Sequence, residues 1–243
     1  MKRVLVAFLA LVLLSACEKK DQHPDSNLHI SGNIKGLTKG TLYIQRFADT
    51  SMVSIDTIVI NGSSSFESHL NIDGPEMLWL ILDRGTTSSL DNSLPFFAEP
   101  GNMKIDASNE EFFYRAKVTG SENHKLYEDF LKVKNKFTNN NTELKAKNLE
   151  ATMKGNVKQL DSVSEKTEQL IKRRYLYTAN FAVTNAKHEI APYLALYEIP
   201  DINIVYLDTI AKSMSPQVAK SKYGKILTQY IAERKKTETS VLK

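Results

Sequence analysis

The sequence predicts an α+β fold, in which an N-terminal antiparallel β-sandwich or open barrel precedes a C-terminal helical region. Two observations support this prediction. From position 28 to about position 118, short segments rich in β-forming residues alternate with turn residues. Beyond Gly120, apolar residues recur at spacings of three and four, the period of an amphipathic α-helix.

Eight segments of the N-terminal half are predicted to be strands. One of them is a continuous apolar run that contains Trp79, which we interpret as a core residue. Asn61-Gly62 predicts a two-residue hairpin because both positions tolerate positive φ. Pro100-Gly101 predicts a type II turn within another hairpin. The predicted strands are 28–34, 41–47, 52–60, 65–70, 77–82, 95–98, 103–106 and 114–118.

The helical half is predicted to begin after Ser121, a favourable N-cap. The run Asn139–Asn141 predicts a break, and a long helix is expected from there to about Tyr177. The last helix is predicted to start at Pro216, because proline suits the first helical position, and to end near Glu233. Shorter helices are predicted at 178–185, 191–198 and 203–214.

An apolar stripe on the long helix has two interpretations, a coiled-coil surface for a partner or a face packed within the helical half. Asn156, Thr167 and Arg174 interrupt the coiled-coil register, which favours internal packing. The stripe consists of Leu149, Met153, Leu160, Val163 and Leu170.

The first 17 residues have the pattern of a bacterial lipoprotein signal peptide. Two cations at Lys2 and Arg3 precede an unbroken apolar run over residues 4–14. This run is shorter than the ~20 apolar residues that span a hydrocarbon core, so it predicts a cleaved secretory signal. Leu14–Cys17 resembles the lipobox, which implies cleavage before Cys17 and lipidation of that residue. An ordinary signal peptide with a chance cysteine is the alternative.

We therefore expect a protein of the bacterial cell envelope, held to the lipid bilayer by acyl chains such as palmitate on Cys17. Two or three chains suffice, since each buried methylene contributes about 0.8 kcal/mol. The outer membrane is the expected location, on its periplasmic face or at the cell surface. Residues 18–26 are polar and predict a flexible tether. The predicted organisation is a signal at 1–17, this tether, a β-domain at 27–119, a helical region at 120–235 and a polar tail at 236–243.

Charge and cysteine content exclude several classes of function. The formal net charge is +4, and loss of Lys2 and Arg3 with the signal would leave a smaller surplus. Such a surplus does not indicate a nucleic-acid partner. Cys17 is the only cysteine, and lipid would occupy its sulfur. The mature chain is then expected to have no disulfide, no thiol nucleophile and no Cys-x-x-Cys redox pair.

No residue pattern predicts catalysis, a cofactor or a metal site, so we expect a protein that is not an enzyme. The five histidines never lie three or four residues apart, and Pro192 stands where a His-Glu-x-x-His motif from His188 needs its second histidine. Ser63–Ser65 lack the context of a nucleophile elbow, and no glycine-rich nucleotide loop is present. The carboxylates near strand ends are interpreted as solvated charges: Glu67, Asp73, Glu76 and Asp83.

Three consecutive aromatic residues are the candidate contact surface. Neighbouring residues on a strand point to opposite faces of the sheet, so at least one of Phe112, Phe113 and Tyr114 is expected to be exposed. An exposed aromatic residue on a β-sandwich suits stacking on a sugar or contact with a peptide.

Several short motifs of the β half resemble the domain-of-unknown-function family 4369, found at the N-terminus of thioredoxin/AhpC–TSA-type envelope lipoproteins. The motifs are residues 30–34, 40–44, 56–62, 96–102 and 118–123. The helical half, through Ser215-Pro216 and Ser221–Gly224, is similar to the linker helices of the same proteins. In such relatives a thioredoxin domain with redox cysteines follows. The sequence ends at Lys243 without that domain, so no catalytic residue carries over.

These observations predict a membrane-anchored envelope lipoprotein that binds or docks another envelope component, whose identity the sequence does not specify. One alternative is an accessory module that works in trans with a thioredoxin-type thiol–disulfide oxidoreductase. Another is capture of a glycan or peptide on the aromatic surface at Phe112, Phe113 and Tyr114.

Overall fold

The computed structural model of the chain describes residues 25–48, 50–85 and 89–241. The predicted signal peptide, Cys17 and residues 18–24 of the predicted tether lie outside the described residues. The strands are β1 (Leu28–Lys35), β2 (Lys39–Ala48), β3 (Ser51–Asn61), β4 (Ser65–Leu70), β5 (Glu76–Asp83), β6 (Ser93–Ala98), β7 (Gly101–Ser108) and β8 (Lys117–Thr119), with a short 3-10 helix at Leu90–Asn92. The helices are α1 (Glu122–Met153), α2 (Val157–Thr184), α3 (Ile190–Glu198), α4 (Ile204–Ser213), α5 (Pro216–Lys220) and α6 (Lys222–Val241).

The strands form two four-stranded sheets that enclose one hydrophobic core, so the predicted α+β fold with an N-terminal sandwich is confirmed. The sheet orders are β4-β1-β7-β8 and β3-β2-β5-β6. All strand pairs are antiparallel except β1 and β7, which pair in parallel from Leu28 opposite Gly101 to Lys35 opposite Ser108. This pair departs from the purely antiparallel expectation, because the long connection through the second sheet returns β7 to the end where β1 starts.

Both predicted hairpins are wrong, since each turn carries the chain from one sheet to the other. β3 and β4 lie in different sheets, as do β6 and β7. Gly62 and Gly101 do adopt positive φ, at 91° and 127°. These two glycines therefore form sharp corners between the two sheets, rather than the turns of hairpins.

The first helix is longer than predicted, because Asn139–Asn141 do not interrupt it. It runs unbroken over Glu122–Met153, and the predicted long helix from residue 142 to about 177 is wrong. The break falls at Gly155, whose φ is +60°. Its N–H bonds the Thr152 carbonyl at 3.1 Å, and the next N–H, of Asn156, bonds the Ala151 carbonyl at 2.9 Å. These two bonds form a Schellman ending, and Asn156 then caps α2.

The remaining helices pack around a second core and join the sandwich through a third. Ala182, Ala195 and Leu207 are among the buried residues of the helical core. The third cluster combines Met77 and Phe97 of the sandwich with residues of α1, α3 and α6. The helices therefore cover the outer face of the second sheet near the start of β5 and the end of β6.

Two predictions for the helical half differ from the structure. The predicted last helix is split at Ser221 into α5 and α6, and α6 continues to Val241, beyond the predicted end. Of the predicted stripe, Val163 is buried, whereas Leu149 and Met153 are exposed near the end of α1. Internal packing thus accounts for only part of the stripe.

Two glycines with similar backbone angles provide a test of the junction between the two halves. Gly120 has φ +94°, and a Cβ there would lie 2.2 Å from the Asn102 carbonyl oxygen. Gly62 has φ +91° and open space around its Cβ position. We expect Gly62→Ala to lower the free energy of unfolding by about 1 kcal/mol, and Gly120→Ala by about 3 kcal/mol or more. Urea denaturation measures both, and equal losses would contradict the close contact.

Candidate functional site

A cleft of about 770 Å³ lies between one end of the sandwich and helices α5 and α6. Its floor is formed by the start of β5 and the corner between β6 and β7, and its far wall by the two helices. Charged groups of both signs line it in equal number. The cations are Arg46, Lys220, Lys222 and Lys225, and the carboxylates are Asp73, Glu76, Glu99 and Glu189.

Glu76 is the central charge of the floor. It is the first residue of β5 and is buried, with 4% of its surface exposed. Its Oε1 lies 3.1 Å from Nη2 of Arg46, and its Oε2 lies 2.7 Å from Nζ of Lys222. Burial of a carboxylate at this depth is costly unless opposite charges or hydrogen bonds surround it. The two cations come from β2 and α6, so one carboxylate connects the sheet to the last helix.

Asn123 organises the other side of the floor. Its Nδ2 donates to Oε1 of Glu99 at 2.7 Å and to Oε2 of Glu189 at 3.0 Å. Its Oδ1 accepts from the backbone N–H of Ile190 at 2.7 Å. Glu99 also accepts from the backbone N–H groups of Glu122 and Asn123, at 3.3 and 2.6 Å. Glu99 therefore caps the N-terminus of α1, where a negative charge is favourable.

The rim of the cleft differs from its floor, because three of its charged side chains have no partner among the described residues. The side chains of Asp73, Lys220 and Lys225 are exposed and form no hydrogen bond or ion pair with any residue that the structure describes. Gln217 of α5 is also exposed on this rim. The Nε of Arg46 is buried and has no hydrogen-bond partner in the described part of the chain. The cleft thus combines a fixed, bonded floor with polar groups that remain free to bind.

Aromatic side chains pack directly behind the floor. Phe97 contacts Tyr193 and Tyr223 edge to face, with ring centroids 5.5 and 5.9 Å apart. The Tyr223 hydroxyl accepts from the backbone N–H of Met77 at 2.9 Å. Burial raises the pKa of Tyr223 and raises the pKa of Tyr127 to about 12. These phenols are therefore neutral at physiological pH and act as packing groups with a polar end.

His124 connects α1 to the edge of the sandwich. It is buried, and its Nδ1 accepts from the backbone N–H of Phe97 at 3.2 Å. Its Nε2 lies 3.5 Å from Oε1 of Glu128. Burial lowers the pKa of His124 to about 4, so the ring is neutral at physiological pH. A neutral ring with Nδ1 as acceptor carries its proton on Nε2, facing Glu128.

Residues 28–127 match the family described as "Domain of unknown function (DUF4369)". This part of the chain is a DUF4369 domain. The match covers all eight strands and the first turns of α1, which confirms the family resemblance of the β half. The DUF4369 domain thus supplies Arg46, Glu76 and Glu99 of the cleft, whereas its other wall comes from helices beyond the match. No curated protein is similar enough to the chain to count as a match.

The three predicted contact residues lie together on the DUF4369 domain, in a turn rather than on a strand. The predicted strand at 114–118 is confirmed only from Lys117, where β8 begins, so its predicted start is wrong. Phe112 is fully buried in the sandwich core, so it belongs to the core and not to a contact surface. Phe113 and Tyr114 are 37% and 78% exposed, with their rings edge to face 5.3 Å apart. The Asp91 carboxylate holds this turn by accepting from the N–H groups of Phe112 and Phe113, each at 3.0 Å.

Other candidate residues from the sequence have ordinary structural positions. Trp79 is half-buried and packs against the third cluster. The side chains of Ser64 and Ser65 accept hydrogen bonds from Asn33. Among the described residues, no group of three or more His, Cys, Asp or Glu could hold a metal ion. None of the helices that the structure describes combines the length and apolar character needed to span a bilayer.

Two groupings were not anticipated from sequence. Strand pairing brings His29 opposite His69, with their Nδ1 atoms 2.7 Å apart, although 40 positions separate them. The cleft joins Glu76 to Lys222 over 146 positions. Neither grouping has a local sequence signal, because each depends on which strands and helices become neighbours.

The buried His124 predicts a pH dependence of stability. In the unfolded chain its pKa is near 6.5, and in the folded protein it is about 4. Between these values the unfolded state binds more protons, so the free energy of unfolding falls as the pH is lowered through this window, by roughly 3 kcal/mol. His124→Gln should reduce that slope. Urea denaturation from pH 7.5 to about pH 4.5 measures the difference, and identical slopes in the variant and the unmodified protein would contradict this account.

Proposed function

We propose that this chain is a non-catalytic lipoprotein of a bacterial cell envelope, which docks a partner protein in the cleft between its DUF4369 domain and its helices. The observation that carries the proposal is the contrast between the two parts of the cleft. Glu76, Glu99 and Glu189 are already bonded within the floor. Lys220 and Lys225 are exposed on the rim with no ion-pair partner among the described residues.

The bonded floor favours docking over catalysis. General acid–base chemistry needs a side chain that can exchange a proton with a substrate. Glu76 holds two cations, and Glu99 holds the first N–H groups of a helix. Protonation of either group would weaken the contacts that fix the helices to the sandwich. These carboxylates therefore suit a structural role, and the free rim charges suit recognition of a charged segment.

The start of the folded chain supports anchoring next to this cleft. Asn27 donates its backbone N–H to the Leu70 carbonyl at 3.0 Å and accepts from the Gly101 N–H at 2.8 Å. Its side chain forms two hydrogen bonds with the backbone of Ile72. Ile72 directly precedes a residue that lines the cleft, and Gly101 directly follows one. An anchor at Cys17 would thus hold the cleft close to the membrane, in the proposed location at the outer membrane.

A second candidate function rests on the exposed pair Phe113 and Tyr114. These rings lie at the opposite end of the sandwich from Asn27, in the turn that precedes β8. Exposed, edge-to-face aromatic rings suit stacking on a sugar or a peptide side chain. An accessory role for a thioredoxin-type oxidoreductase in trans is compatible with the main proposal, since such an enzyme is one envelope protein that could dock in the cleft.

Site-specific photo-crosslinking in living cells tests the proposed function. A photoreactive amino acid at Gln217 on the cleft rim should give a discrete crosslinked partner, whereas the same residue at Val59 should not. Lys220→Glu with Lys225→Glu should reduce the Gln217 product about tenfold or more, because two favourable charges become repulsive. These exposed changes should not alter the unfolding midpoint.

The same crosslinking experiment also tests the proposed lipid anchor. Cys17→Ser should move the protein out of the membrane fraction and abolish the crosslink. A crosslinked product from a photoreactive residue placed at Tyr114, insensitive to the lysine reversals, would favour glycan or peptide capture instead. A Gln217 product of unchanged yield in the double lysine variant would refute docking through the cleft.

A further inference from the structure

The turn between β2 and β3 exposes a cluster of apolar side chains. Phe47 pairs across the strands with Met52, and Arg46 pairs with Val53. Phe47 is 49% exposed, and Met52 and Val53 are each 38% exposed. Directly opposed residues share a face of the sheet and neighbours alternate, so Phe47 and Met52 lie on one face and Val53 on the other. The end of this strand pair is thus apolar on both faces, and we call these three residues the apolar tip (Phe47, Met52 and Val53).

The apolar tip lies at the same end of the sandwich as the start of the described chain. β2 ends where β5 begins, because Arg46 is opposite Leu78. β5 begins only a short connection after β4 ends at Leu70, which lies opposite Leu28 at the start of β1. The predicted anchor segment therefore enters the fold at the end that carries the apolar tip.

Chain length limits how far this end can be from the membrane. Cys17 and Asn27 are ten positions apart, and an extended chain covers at most about 3.3–3.6 Å per residue. A lipid on Cys17 would thus keep Asn27 within about 35 Å of the bilayer surface. A bilayer at this distance is permanently available to the apolar tip, unlike any soluble partner.

We propose that the apolar tip is a second membrane contact, which inserts Phe47, Met52 and Val53 into the lipid interface beside the anchor. This inference rests on the proposed lipid anchor at Cys17. Aromatic and aliphatic side chains gain from transfer into the acyl boundary, while Arg46 at the base of the tip can remain at the headgroups. Two contacts restrict rotation of the tethered protein about its anchor.

The second contact gives the molecule a defined orientation. The cleft adjoins the apolar tip through Arg46, so its mouth is held near the headgroups. Phe113 and Tyr114 lie at the other end of strands of about eight residues, and each residue extends about 3.3 Å. They therefore face away from the bilayer. A partner entering the cleft would be either membrane-bound itself or aligned along the membrane surface.

Site-specific fluorescence on tethered protein tests this inference without relying on natural lipidation. Residues 18–243 contain no cysteine, so Met52→Cys, Val59→Cys and Tyr114→Cys each accept one environment-sensitive dye. An N-terminal hexahistidine tag holds each protein to vesicles of phosphatidylethanolamine and phosphatidylglycerol that contain a nickel-chelating lipid. Spin-labelled acyl chains within these vesicles quench dyes that enter the bilayer.

We expect the dye at position 52 to shift to shorter wavelength and to be quenched at least about threefold more than the dyes at 59 and 114. Val59 is the matched control, because it is exposed on the same strand toward the other end. Phe47→Ser should abolish the shift at position 52. Moving the tag to the C-terminus should also weaken the wavelength shift at position 52.

Equal quenching at all three positions, or none at position 52, would overturn the second contact. A crosslink from position 52 to a protein in cells, without quenching in vesicles, would assign the apolar tip to a protein partner and overturn it as well. Lipidation of Cys17 is tested separately, by whether the native protein carries an acyl chain. The vesicle experiment does not depend on lipidation, because the tag holds the protein to the vesicles.

Discussion

The buried carboxylate of Glu76 is the interaction on which the arrangement of the two halves depends. It is held between Arg46 of β2 and Lys222 of α6, so a charge at the start of one strand fixes the last helix against the sandwich. Removal of one partner from a buried ion pair commonly destabilises a protein by about 3–5 kcal/mol. The hydrogen bonds of Asn123 and Tyr223 and the aromatic cluster around Phe97 reinforce the same junction.

The bonded junction is compatible with the proposed role as a docking platform. The charges of the cleft floor hold the sandwich and the helices together, which positions the backbone of α5 and α6 that carries the rim lysines. A binding surface whose backbone is already positioned loses less conformational freedom when a partner binds. The proposed lipid on Cys17 and the apolar tip would add orientation, because they act at the end of the sandwich next to the cleft.

Sequence periodicity predicted the fold class and the order of the elements, because strand and helix periods are local properties. It failed where the outcome depended on long-range neighbours. Gly62 and Gly101 gave correct turn signals, yet a turn does not specify whether the next strand joins the same sheet. Asn139–Asn141 were expected to end a helix that only Gly155 ends, since asparagine is tolerated within helices while glycine readily adopts the left-handed conformation. The cleft had no local signal, because Glu76 and Lys222 are 146 positions apart.

Cooperative unfolding is the most direct test of whether the sandwich and the helices form one body with a fixed cleft between them. Trp79 is the only tryptophan and packs at the junction, so its fluorescence reports on the sandwich and its contact with the helices. Far-ultraviolet circular dichroism reports mainly on the helices. Urea titrations followed by both signals should give coincident transitions with one midpoint and one slope. Two separate transitions in the unmodified protein would show that the halves fold independently and would contradict a cleft whose shape is set by their junction.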